Sequence, residues 1–252
     1  MIIAVTSSLA AGKTHWIRNQ IPQTRGKITY FSPNTDSFPI DRLYLQSEFP
    51  HLAFLSMGDE KRLLDLSAEE TVYLEFPWYI DPESLESFLK PLNCHRVTLE
   101  SNGELIGAST TDSTELPPNA KKLAERLTDS DIQIHRALLT GEVLDFDSLE
   151  TFWQELIQGA YGEVLRVKAI LNIVDGRSIY GEFTEGYPLT EFIPLNFPPH
   201  LDGRPHRFSG LEIVGSRLDK AAIADTLSDC CLSDEILDYY QQQIKESLAM
   251  EE

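Results

Sequence analysis

Ile2-Ile3-Ala4-Val5-Thr6-Ser7-Ser8-Leu9-Ala10-Ala11-Gly12-Lys13-Thr14 is the stretch that decides the fold. Its opening apolar run reads as a short buried strand. His15 to Ile21 reads as a helix, which Pro22 stops. Between them lies a run of small residues ending in Gly-Lys-Thr. Strand, small-residue loop, Gly-Lys-Thr and helix together form a phosphate cradle. Small side chains let backbone N–H groups turn inward, and the helix N-terminus adds the positive end of its dipole. In such a cradle Lys13 reaches the β- and γ-phosphates, and the Thr14 hydroxyl ligates Mg²⁺. The full pattern is G-x-x-x-x-G-K-[ST], and Ser7 stands where its first glycine belongs. Glycine is favoured there because it accepts backbone angles that serine resists. The nucleotide-binding candidates are therefore Ser7, Ser8, Leu9, Ala10, Ala11, Gly12, Lys13 and Thr14. The plainer alternative is a loop that caps the first helix and binds nothing.

Outward from this loop, Lys27 to Phe31 alternates and is β-prone. Leu52 to Ser56, Glu69 to Phe76 and His95 to Glu100 are further strand candidates. Pro82 to Leu89 reads as a helix, with Asp81 as its start residue. Residues 101–118 are rich in Ser, Thr, Asn, Gly and Pro and read as a long loop. Ala120 to Leu127 reads as a short helix and Asp131 to Ile134 as a strand. Asp145 to Gly159 has a helical pattern that puts Phe146, Trp153 and Leu156 on a core face. Strands alternating with helices up to about residue 140 predict a doubly wound parallel sheet. Near residue 160 the pattern changes. Leu165 to Val174 is a long strand, Asp175-Gly176 a hairpin turn, and Ser178 to Phe183 pairs back. A proline-rich stretch from Pro188 to Pro205 leads to a third strand, Phe208 to Val214. Helices follow over Leu218 to Leu227 and Asp234 to Met250. The predicted fold class is α/β: a P-loop NTPase domain over 1–150, then a small α+β domain over 160–252. The boundary is expected between about 145 and 162.

The 252 residues carry a formal charge of −19, from 40 acidic and 21 basic side chains. That excludes a basic nucleic-acid footprint and disfavours docking on an anionic membrane. It suits a basic protein partner or divalent cations. No run approaches the ~18–20 apolar residues of a membrane span. With no secretory signal visible, and only Cys94, Cys230 and Cys231 as thiols, a cytoplasmic protein is expected.

Glu75 ends a strand and is the candidate that holds Mg²⁺ through water. Asp36, in the polar loop after the second strand, is a second metal or switch candidate. His200 and His206 flank Asp202, but six-residue spacing on a loop is not diagnostic of a metal site.

The layout resembles the CobW family of P-loop GTPases over nearly the whole chain. Ser7 to Thr14 takes the place of the family's G-x-x-G-A-G-K-T-T loop. Glu75-Phe-Pro-Trp-Tyr-Ile-Asp81-Pro82 resembles its E-T-[TS]-G-x-A-D-P segment. Val164-Leu165-Arg166-Val167-Lys168 resembles its W…L-R-x-K-G strand. Arg207-Phe208 through Ile213-Val214-Gly215-Ser216-Arg217-Leu218-Asp219 to Leu227 and Cys230 resembles its closing segment. The resemblance implies GTP, or ATP, bound with Mg²⁺, with Lys13 and Glu75 as catalytic residues and Thr14, Glu75 and Asp36 as metal ligands. There are departures. Leu55 to Glu60 carries no cysteine where the family has C-x-C-C, so no zinc site is evident. Asp36 is the only acid where the family has N-E-F-G. Trp78 replaces the glycine that approaches the γ-phosphate, and His135-Arg136-Ala137-Leu138 stands where N-K-x-D should read guanine. The expectation is a divergent, metallochaperone-like nucleotide binder with weak or no hydrolysis, acting on a protein partner. The alternative is a pseudo-GTPase interaction protein that binds neither nucleotide nor metal. A small-molecule phosphotransferase is disfavoured, because the 101–118 loop holds no Arg or Lys.

Overall fold

The computed structural model describes residues 1–7, 12–33, 35–67, 69–99, 105–106, 131–189 and 191–251. The chain divides into two units, 1–128 and 129–252, each built on its own sheet.

The first unit runs β1 (Ile2–Ser7), α1 (Lys13–Gln20), β2 (Lys27–Phe31), α2 (Ile40–Glu48), β3 (Ala53–Phe54), β4 (Glu70–Glu75), α3 (Pro82–Leu89), β5 (Cys94–Leu99) and β6 (Leu105–Ile106). The sheet order is β3-β2-β4-β1-β5-β6. The first five strands pair in parallel, and β6 pairs antiparallel to β5. All six residues of β4 are buried, as expected of a central parallel strand covered on both faces. On one face Ile17 and Ile21 from the first helical stretch and Leu45 of α2 meet Val5, Tyr30, Tyr73 and Val97. On the other, Leu89 of α3 and Leu63 meet Ile2, Ala4, Phe31, Val72 and Leu74. The sheet is thus doubly wound. The chain leaves β1 toward β2 on one side and crosses from β4 to β5 on the other. Such a switch point is where open α/β sheets bind ligands, at the carboxyl ends of the strands.

The local signals act where expected. Pro22 sits in a 3-10 turn, Ile21–Gln23, that ends α1. Asp81 caps α3, its Oδ1 accepting from the Ser84 N–H at 2.8 Å. Of the expected 101–118 loop, residues 105 and 106 form β6; its remainder and the expected 120–127 helix lie outside the described residues.

The second unit runs β7 (Ile132–Leu138), α4 (Phe146–Ile157), β8 (Glu163–Asn172), β9 (Ser178–Thr184), β10 (Ile193–Pro194), β11 (Gly210–Ser216), α5 (Lys220–Asp229) and α6 (Asp234–Glu251). Its sheet order is β10-β9-β8-β11-β7, antiparallel throughout. Phe152, Trp153 and Leu156 of α4 and Ile223 and Leu227 of α5 form a core with Val167, Ala169, Leu211 and Ile213, and Phe146 packs against it. Asp145 and Asp219 cap the two helices by accepting from the Ser148 and Ala222 N–H groups.

One sequence expectation is corrected. The strand at 131–134 was assigned to the parallel sheet. It is instead part of β7, the edge of the second sheet, with Ile134 opposite Val214 and Arg136 opposite Glu212. An Arg136–Glu212 ion pair at 2.8 Å joins the two strands. The division therefore falls at 128/129, earlier than 145–162, and α4 belongs wholly to the second unit. A single short strand carries no local signal for which sheet it joins, because its pairing is with a strand some eighty residues away. His135 to Leu138 thus lie inside β7. They do not follow a strand of the parallel sheet, where a base-reading segment was expected.

Candidate functional site

The site is built at the carboxyl ends of β1, β4 and β2. Parallel register sets Val5 opposite Glu75 and Tyr30 opposite Tyr73. β1 and β4 therefore end together, next to the start of α1. Gly12 enters α1 in the left-handed conformation, φ 69°, and its carbonyl accepts from the Trp16 N–H at 2.8 Å. Glycine takes that backbone angle without a Cβ penalty. Lys13 and Thr14, the first residues of α1, are both buried there, as is Glu75.

Three hydrogen bonds define the geometry. The Thr14 hydroxyl donates to Oε1 of Glu75 at 2.8 Å. The Tyr30 hydroxyl donates to Oε2 of the same carboxylate at 3.0 Å. The Lys13 ammonium donates to Oγ of Ser7 at 2.8 Å. Burial, together with the nearby Glu75 carboxylate, holds the Tyr30 phenol well above its ordinary pKa. The phenol is thus a fixed O–H donor. Ser7 closes β1 in extended conformation; among the described non-glycine residues Arg217 has a positive φ and Ser7 does not. The backbone strain expected from serine in place of the first glycine is therefore not present at this position. Ser8, Leu9, Ala10 and Ala11 lie outside the described residues.

The remaining candidates sit elsewhere. Asp36 lies in the loop after β2, where its Oδ2 accepts from the Met57 backbone N–H at 2.7 Å. The bond ties that loop to the one following β3. Trp78 lies just past β4 in the turn closed by the Ile80 N–H on the Pro77 carbonyl. Its indole stands edge-on to Tyr79, and its N–H is buried without an acceptor. His200 bonds the backbone oxygen of Asp202 at 3.1 Å. Burial pushes the Cys230 and Cys231 thiols up to about 11, far from the thiolate a metal ligand or nucleophile needs.

Tyr30 is the residue that sequence reasoning missed. A signal existed: a tyrosine on a buried strand needs a partner for its hydroxyl, and β2 lies beside the strand that ends in Glu75.

Thr14 and Glu75 offer two hard oxygen donors on neighbouring elements, the donor type Mg²⁺ takes. Mg²⁺ is commonly held by one or two protein groups plus phosphate and water. The residues present therefore fit that ion. Among the described residues there is no cluster of three or more His, Cys, Asp or Glu able to hold a metal.

Fold and site together define the class: a doubly wound α/β unit with a buried Lys13-Thr14 helix start beside the Glu75 carboxylate, followed by an antiparallel α+β unit. No protein-family model and no curated sequence matches the chain. Among solved structures it is similar to the Zn(II)-bound YjiA GTPase from E. coli, at TM-score 0.33 and 11% identity. A Zn(II)-bound triple mutant of YjiA is similar at 0.34 and 14%. Each match covers 91% of this chain and 98% of that chain. Likeness at this level says nothing about chemistry. No described helix is long and apolar enough to cross a membrane.

Proposed function

We propose that the first unit binds a purine nucleoside phosphate with Mg²⁺, GTP before ATP, turns it over slowly or not at all, and acts on a protein partner. The observation that supports this most is the Thr14–Glu75 bond at 2.8 Å. A threonine hydroxyl and a carboxylate side by side at a helix start are the hard oxygen donors that Mg²⁺ takes. Lys13, at the same helix start, supplies the positive charge for phosphate oxygens. The preference for GTP rests on the CobW resemblance alone, and slow turnover on Trp78 standing where that family has glycine. Bound Mg²⁺ would neutralise charge between the β- and γ-phosphates. Lys13 would orient those phosphates, Thr14 would hold the ion, Glu75 would do so through water, and Asp36 is the second metal or switch candidate. The acidic surface is the side offered to a basic partner.

A second reading is an interaction protein that binds neither nucleotide nor metal. One observation favours it: Lys13 and Thr14 already hold Ser7 and Glu75 as partners.

Thermal unfolding with Mg²⁺ and millimolar GTP, GDP, ATP or ADP, together with a phosphate-release assay, separates the two. A ligand that binds only the folded state adds about 2.7 kcal/mol at a hundredfold excess over its Kd. The nucleotide reading expects a shift with guanine nucleotides, lost in Lys13→Ala, and little phosphate release. No shift with any nucleotide leaves the interaction protein.

A further inference from the structure

We propose that Tyr30 is a positioning residue for the Glu75 carboxylate on the metal side of the nucleotide site. The inference rests on the nucleotide reading above. Tyr30 is 2% exposed and Glu75 5%, so both are shielded from bulk solvent. The carboxylate is held from two directions: Thr14 of α1 bonds Oε1, and Tyr30 of β2 bonds Oε2. Held at both oxygens, it cannot rotate freely about its terminal torsion. Groups that orient a metal-side ligand in this way set its affinity nearly as much as the ligand itself.

Tyr30 reaches Glu75 from an element other than those that carry Thr14 and Glu75 themselves, so the carboxylate is fixed by α1 and β2 together.

The test uses Tyr30→Phe, which keeps the ring in the core and removes only the hydroxyl. GTP is held constant while MgCl₂ is titrated from an EDTA baseline, and the unfolding temperature is read at each concentration. In Tyr30→Phe the Mg²⁺ concentration giving half the stabilisation should rise about ten- to hundredfold, with GTP binding in EDTA unchanged. An unchanged Mg²⁺ midpoint in Tyr30→Phe overturns the inference and leaves the nucleotide reading standing. Equal losses with and without Mg²⁺ mark a merely structural tyrosine and also overturn it. No GTP effect on the wild-type protein sinks both.

Discussion

Thr14 and Glu75 are 61 residues apart in the chain, and the hydroxyl of the first donates to Oε1 of the second at 2.8 Å. The Tyr30 hydroxyl bonds the other oxygen, so the carboxylate is the common acceptor for two buried donors. Glu75→Ala leaves both without an acceptor, and each buried unsatisfied group costs about 1–3 kcal/mol. The variant should be destabilised by about 2–4 kcal/mol in urea unfolding. Glu75→Gln keeps the shape and one acceptor oxygen, so it should lose clearly less. Equal stability of Glu75→Ala and wild type would mean that the carboxylate is not the hub of this network.

Lys13 and Ser7 make the second contact. An ammonium has three donors, and the bond to Ser7 at 2.8 Å fixes the direction of one of them. The serine hydroxyl then acts as an orienting acceptor within the cradle. Ser7→Ala should weaken nucleotide binding about ten- to a hundredfold, since a hydrogen bond to a charged group contributes about 1.5–3 kcal/mol. Lys13→Ala should abolish it. Titration calorimetry that placed Ser7→Ala below Lys13→Ala in affinity would contradict this ranking.

Glu70, at the start of β4, gives a pH prediction away from the site. The Thr29 hydroxyl at 2.9 Å, and then Lys27 at 3.2 Å, hold its carboxyl below the usual range. A carboxyl whose pKa falls on folding stabilises the protein above its unfolded value of about 4.3, and that contribution is lost as pH falls through the folded value. Glu70→Gln should therefore be less stable than wild type at pH 7, with the gap closing below about pH 4. Guanidinium melts across that range read the effect; a gap that widened toward acid would contradict it.

Gly215 tests the second unit. It sits where the β11–β8 register shifts, between Val214 and Gly215. A Cβ there would lie 2.2 Å from the Glu163 carbonyl oxygen. Gly215→Ala must push two backbones apart and should cost at least about 1–3 kcal/mol. An alanine variant that melts with the wild type would show that the strands separate there more easily than the contact implies.

Elements whose cause is local were legible in the sequence. β2 at 27–31 and α3 at 82–89 have the bounds expected from alternation and from the Asp81-Pro82 start. The strand-to-Gly-Lys-Thr-to-helix order placed Thr14 and Glu75 on elements that meet. What failed to show was non-local. β7 reads as a strand but gives no hint that its partner is β11. Tyr30 carries no sign of its partner in the sequence, because its role depends on β2 lying beside β4. The concern over Ser7 came from a pattern in which glycine is needed for its angles, whereas here that position is still strand.

Calorimetric titration of Mg²⁺ and GTP into the wild-type protein and Lys13→Ala is the most direct test of a working nucleotide site. One-to-one binding that weakens in EDTA and vanishes in Lys13→Ala is the predicted result. No heat in either protein, or identical binding in both, would contradict it.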